Sequence, residues 1–290
     1  MMLECAWTEG SVVWRLAVVA AAVGVVAGCA SVGQPYVVEL PQADVRPVVH
    51  VSAVMSDEVA LATMVAVVER ELGVSVLPVT YHFYPREEAF FAAVMKSGHD
   101  ASYARRAAGR LPAIAGYGHV LVNEGRLSLE WPDRLSTFSH EFTHCLQYKL
   151  ARGRRSTSDQ WLREGFADLV AARVLDRLGA RPIETTRRQK LEQLQASDRS
   201  RAPRLETLLT FADWVTVTTR PEVAPYAQAF LAVDALVERH GVPAMLKYFA
   251  AFATSEDRAA NFHAAFGQDL KTFESGVDAA LGMPPRRERR

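Results

Sequence analysis

Only three cysteines, Cys5, Cys29 and Cys145, occur in the 290 residues, and no two are spaced as a metal-binding or redox pair. Charge of one sign is also missing: 33 Lys plus Arg balance 33 Asp plus Glu, so no global field draws the chain to nucleic acid. There is no glycine-rich phosphate loop and no serine nucleophile elbow, which leaves phosphoryl transfer and serine hydrolysis without support. The apolar run from Leu16 to Ala27 is twelve residues, too short to span a bilayer. What the chain does have is 49% apolar residues, enough to bury the core of one large domain or two small ones. Function must therefore come from a local site.

Arg15, the run Leu16 to Ala27 and the small residues after it have the layout of a secretory signal, here 1–28. Val26-Ala27-Gly28-Cys29 resembles a bacterial lipobox, which implies cleavage before Cys29 and acylation of that thiol. Glu4 and Glu9 put negative charge where a signal carries positive, which places the expected start of translation at Val12 or Val13. With Cys5 removed and Cys29 acylated, Cys145 is a single thiol and no intramolecular disulfide can form. Residues 29–47 hold three prolines from Ser31 to Pro47 and read as a tether.

From Val48 the chain reads as folded. Met55 to Leu72 has helical spacing and stops at Gly73, Val76 to Tyr84 reads as a strand, and Glu87 to Met95 as a helix. Gly118 to Leu129 alternates about Asn123-Glu124-Gly125, the pattern of a hairpin. After Trp131 helices are expected at 134–151, 160–178, 183–196, 225–240, 243–253 and 269–281. The expectation is an α+β fold: an α/β subdomain over 48–155, a helical subdomain over 156–282, and a solvated basic tail over 283–290 that could at most touch anionic lipid.

His140-Glu141-Phe142-Thr143-His144 concentrates the chemistry. On a helix, residues four apart differ by ~40° of rotation and lie ~6 Å apart, so the two imidazoles can converge on one ion. With His140 at zero on a wheel of ~100° per residue, Leu135, Phe138, Phe142, Cys145 and Leu146 fall at ~140° to ~240°. The histidines thus face away from the apolar stripe, and Cys145 belongs to it as a packed residue. A third ligand is expected from Trp161-Leu162-Arg163-Glu164-Gly165-Phe166-Ala167-Asp168, a helix apolar or small on nearly every side. A buried carboxylate there is costly unless it is paired or binds metal. Glu164 as ligand, with Asp168 one turn later orienting a ligand histidine, resolves that cost for both.

His140-Glu141-x-x-His144, nineteen intervening residues, and Glu164 within Trp-Leu-x-Glu-Gly-x-Ala together resemble the gluzincin metallopeptidases, especially their peptidase MA-like family. Asp168 matches the aspartate four residues after the ligand glutamate in thermolysin-like enzymes. Leu205-Glu206-Thr207-Leu208-Leu209, Tyr226-Ala227-Gln228-Ala229-Phe230 and the helix closing at His240-Gly241 are similar to that family's C-terminal half. The resemblance covers roughly 110–281 well and 48–110 loosely.

It implies a thermolysin-like fold and a Zn2+ ion held by His140, His144 and Glu164. Such a ligand set leaves the fourth tetrahedral position to water, as in catalytic zinc sites. It further implies Glu141 as general base and Tyr226 as oxyanion donor, with Tyr148 a second candidate on geometry. Gluzincins place an edge strand before the zinc helix, which here falls at Gly118 to Val122, and an extended peptide can pair with such an edge. The Gly-x-Met-x-Asn motif of related aminopeptidases is replaced by Gly116-Tyr117-Gly118-His119, which points to an endopeptidase. His50, His82, His99, His119, His240 and His263 lack ligand spacing and read as structural or surface residues. The expected function is peptide hydrolysis in the bacterial cell envelope, periplasm-facing in a Gram-negative cell. The partners are a peptide or protein substrate and the membrane holding the lipid, with no nucleic acid. The alternative is a non-catalytic envelope lipoprotein that keeps the metallopeptidase fold for binding or assembly, and a zinc hydrolase of non-peptide substrates would use the same residues.

Overall fold

Ser56 starts the first helix by accepting the Val59 amide, and Gly73 ends it in the left-handed region at φ 63°, where a side chain would be strained. This helix, α1 (Asp57–Leu72), buries Leu61, Met64 and Val68 on one face, each worth about 1.5–3 kcal/mol when removed from water. The computed structural model of the chain describes residues 35–39, 56–75, 78–154 and 157–283. The expected signal sequence, Cys29, most of the tether and the tail beyond Met283 lie outside the described residues.

The architecture is α+β and mostly helical. A four-stranded sheet has the order β1-β2-β4-β3, with β1 (Tyr36–Glu39), β2 (Thr80–Tyr84), β3 (Ala113–Ala115) and β4 (His119–Asn123). β2 and β4 run parallel, in the register Tyr81 to Val120 and Phe83 to Val122; the other two pairs are antiparallel. Alternation gives the sheet two uses. Tyr81, Phe83, Val120 and Val122 enter the main core, whereas Leu121 packs on α2 (Glu87–Lys96) and α3 (Ala101–Arg110) through Phe90, Val94, Ala104 and Ala107. Asn123 ties the end of α3 to β4 by donating to the carbonyls of Ala108 and Leu111.

Several expectations change here. The hairpin is not turned at Asn123-Glu124-Gly125: β4 ends at Asn123, and its antiparallel partner is β3, joined to it through Gly116-Tyr117-Gly118. Gly118 has φ 75°, and a Cβ on Gly116 would lie 2.3 Å from the His119 ring, so this turn needs glycine at both positions. The segment Gly118 to Val122 is consequently an inner strand, and the sheet edge beside α4 is β3. Strand β2 begins at Thr80, and β1 lies inside the segment read as a tether.

The helical half follows the sequence closely. α4 (Trp131–Leu150) buries Leu135, Phe138, Phe142, Cys145 and Leu146 against sheet and α1. α5 (Gln160–Arg177) is buried almost throughout. α6 (Ile183–Ala196), a short α7 (Phe211–Thr218), α8 (Pro225–Ala251), α9 (Arg258–Phe266) and α10 (Leu270–Ala280) complete it. α8 is two helices in line, broken at Gly241 with φ 77° and ψ 165° just ahead of Pro243. A Cβ on Gly165 would fall 2.3 Å from the Ala229 carbonyl oxygen, so glycine sets how closely α5 approaches α8. Among the described residues no helix is long and apolar enough to cross a membrane.

Candidate metal centre

Helical phase brings the histidines to the α4 face that meets α5, opposite the apolar stripe. There His140 and His144 present their Nε2 atoms to one another at 3.1 Å. Glu164 completes the group: its Oε2 is 3.4 Å from His140 Nε2 and its Oε1 is 3.5 Å from His144 Nε2. These three residues are the group of ligand-type side chains, among the described residues, able to hold a metal ion.

Hydrogen-bond bookkeeping shows what the group is prepared for. His140 donates its Nδ1–H to Asp168 Oδ1 at 2.9 Å. Gln147 donates its amide N–H to the Arg163 carbonyl, so it must turn its oxygen to His144 and accept that ring's Nδ1–H, at 2.9 Å. Both rings thereby turn Nε2 toward each other and toward the Glu164 carboxylate, whose Oε1 also accepts from Gln160. Lone pairs of two neutral imidazoles and a carboxylate brought this close favour a positive charge among them. Tetrahedral bonds of 2.0–2.1 Å place ligand atoms about 3.3 Å apart; the two Nε2 atoms lie at 3.1 Å, each ring meets a different carboxylate oxygen at 3.4 and 3.5 Å, and one ligand atom from each residue falls within 4.8 Å of the others. Two imidazoles and one carboxylate suit a transition-series ion or zinc rather than calcium or magnesium.

Protonation behaviour reflects the same demand. Burial alone would depress His140, but hydrogen bonds and charge from Asp168 and Glu164 outweigh it and push the ring up to about 10. Burial would raise Glu164, yet the charge of His144 and the hydrogen bonds from both rings hold its carboxyl well below the usual range. Asp168, also opposed by burial, is brought down to about 2 by Lys190 and by the His140 hydrogen bond. For His140 and Glu164 the proton on an imidazole takes the place of a cation between the ligands, whereas for Asp168 the Lys190 ammonium is the main counter-charge.

The ligands open into a cleft of about 370 Å³. Glu141 lines it without a hydrogen-bond or ion-pair partner among the described residues, which leaves its carboxylate free to take a proton. Tyr226 lines it from the start of α8, its ring edge-on to Trp214 at 4.9 Å. The residue as a whole is 37% exposed, and its polar atom is a phenol hydroxyl. Burial and the charge of Glu164 hold that hydroxyl well above the usual phenol range, so it stays a donor. Tyr148 lines the cleft one turn beyond His144, paired with Tyr117. Cys145 faces the other way, buried with its thiol against the Gly116 and His119 carbonyls. Of the remaining histidines, His99 reaches the cleft rim, its ring 4.4 Å from that of Tyr103.

Four supporting residues were not anticipated. Gln147 falls at about −20° on the wheel that placed the histidines, and that phase was a readable signal. Gln160, one turn before Glu164, donates to its Oε1 and in turn accepts from Arg163, a side chain 2% exposed. Lys190 reaches Asp168 Oδ2 at 2.6 Å from α6, and nothing in the local sequence marks it. Scans against protein-family models and searches of curated proteins and of solved structures find nothing that matches this chain.

Proposed function

We propose that the chain is a zinc metallopeptidase of the gluzincin type, with a thermolysin-like arrangement of sheet, zinc helix and helical half. The observation that carries this reading is the convergence of two imidazole Nε2 atoms and one carboxylate, with closest approaches of 3.1 to 3.5 Å, in an open cleft. His140, His144 and Glu164 would hold the ion, which when bound supplies Lewis acidity and acidifies a water. Glu141, next to His140 on α4 and unpartnered among the described residues, would act as the base that takes a proton from an attacking water and returns it to the departing amine. Tyr226, held protonated, donates to the carbonyl oxygen as it gains charge. β3, the edge strand whose residues Ala113–Ala115 line the cleft, offers backbone groups to an extended peptide.

Leu16 to Ala27 followed by Val26-Ala27-Gly28-Cys29 supports export and lipid anchoring in a bacterial envelope, with peptide or protein as substrate. The decisive experiment is an unbiased peptide library offered to the zinc-loaded chain and to Glu141→Gln. One zinc per chain in both proteins, with cleavage reduced about 100- to 10,000-fold in the variant, is the expected result. Normal cleavage by the variant removes Glu141 from the mechanism, and stoichiometric zinc without cleavage of any peptide favours a binding role instead.

A further inference from the structure

We infer that Lys190 is a positioning residue of the metal centre: by pinning the Asp168 carboxylate it fixes the ring of His140 and the direction of one metal-binding lone pair. The inference rests on the metallopeptidase reading for its metal and extends the site to a helix that reading does not use.

Each ligand has a supporting arm. His144 leans on Gln147, which is held by the Arg163 carbonyl, and Glu164 leans on Gln160, which is held by the Arg163 side chain. Both arms are built from α4 and α5 themselves and contact their ligand through a neutral amide. His140 differs. Its arm is the Asp168 carboxylate, and a carboxylate held by one oxygen can pivot about its own bond. Here the second oxygen is held as well, by Lys190 Nζ at 2.6 Å, opposite the 2.9 Å bond from His140 Nδ1. A lysine normally samples many rotamers, but this ammonium also sits over the Phe230 ring of α8, 5.6 Å from its centroid. Side-chain exposures of 19% and 18% shield the Lys190–Asp168 pair from water and salt. The line Phe230, Lys190, Asp168, His140 therefore joins α8, α6, α5 and α4, and it is the arm whose contact with its ligand is itself a charged group.

A purely structural ion pair between α5 and α6 would look the same, so the test must separate the two. Zinc affinity of the full chain is measured by chelator competition for wild type, Lys190→Met, Lys190→Gln, Lys190→Arg, Asp168→Ala and the double variant Lys190→Met/Asp168→Ala. Thermal unfolding of each metal-free protein is recorded alongside. The expected result is a 10- to 100-fold loss of affinity in Lys190→Met and in Asp168→Ala, the usual effect of losing an outer partner. The double variant should be no weaker than Asp168→Ala alone, and Lys190→Arg should recover most of the affinity. Lys190→Gln, which keeps a donor but no charge, should fall between and serves in the cycle if the methionine variant does not fold. Wild-type zinc affinity in Lys190→Met and Lys190→Gln, or losses that add in full to that of Asp168→Ala, would overturn the inference alone. A wild-type chain that binds no zinc would overturn both it and the reading beneath it.

Discussion

Helix α5 carries buried acids into two different settings. Glu164 and Asp168 face α4, where imidazoles and Lys190 meet them, and both carboxyls are held below their ordinary range. At the start of the same helix, Asp159 and Trp161 face α8 to α10, where a second acid cluster forms with Glu274 and Asp278. Tyr248 donates to Asp159, the Trp161 indole to Glu274, and Gln228 to Asp278. Arg258 and Arg204 approach only to 3.4 and 3.6 Å. Burial wins there: all three acids are raised, and Glu274, further pushed by Asp159, stands at about 7. Burial alone thus does not fix the outcome: Lys190 and the His140 ring come within hydrogen-bonding distance of Asp168, while the arginines stay farther from the second set of acids. One cluster is poised to receive a cation, and the other relieves its charge with protons.

Three substitutions can break or sharpen that contrast. The largest effect is expected from Glu164→Ala, which leaves two imidazoles without their acid. Zinc affinity by chelator competition should fall more than about 100-fold, beyond what loss of an outer partner causes, while retained affinity would take Glu164 out of the site. Next comes Gly165→Ala on the helix shared by both clusters. Its new Cβ would lie 2.3 Å from the Ala229 oxygen, a backbone atom that cannot turn aside, and overpacking of this kind costs about 1–3 kcal/mol. A lower denaturation midpoint of the metal-free chain is expected, and an unchanged one would mean that α5 and α8 can separate freely.

Smaller, and confined to the second cluster, is the effect of Glu274→Gln. A carboxyl raised to about 7 in the fold from 4.5 when unfolded binds more protons folded than unfolded between those values. Its contribution is fully present below pH 4.5 and is lost as pH rises through 7, amounting to no more than about 3 kcal/mol. Glutamine still accepts from Trp161 but cannot ionise. The variant should therefore be more stable than wild type at pH 8 by about 1–2 kcal/mol and show a flatter stability profile between pH 5 and 8 in urea unfolding. A profile as steep as wild type would assign that pH dependence to Asp159 and Asp278.

Local patterns carried much of this. Helical phase alone separated His140 and His144 from Phe138, Phe142 and Cys145, and the expected burial of α5 marked Glu164 and Asp168 as acids in need of a partner. Gly73 made the end of α1 readable, whereas the Ser56 cap at its start was not used. What escaped had weak or non-local signals. α3 was passed over because its buried face is mostly alanine (Ala104, Ala107, Ala108), too small to register as an apolar stripe, although Asp100 caps it through the Tyr103 amide. The β3–β4 hairpin was misplaced because Asn123-Glu124-Gly125 has good turn chemistry, while the true turn lies seven residues earlier. Lys190 reaches Asp168 and Trp214 lines the cleft, each from a helix remote in sequence, and only tertiary packing brings them there.

Strand β1 bears on how far the body could stand from a bilayer. Tyr36 lies seven positions after Cys29, and a fully extended chain covers at most about 25 Å over that interval. With Tyr36–Glu39 already stitched to β2, an acylated Cys29 would give the folded body a short leash. Its cleft would then meet molecules that emerge from or lie against the membrane rather than those diffusing freely beyond it.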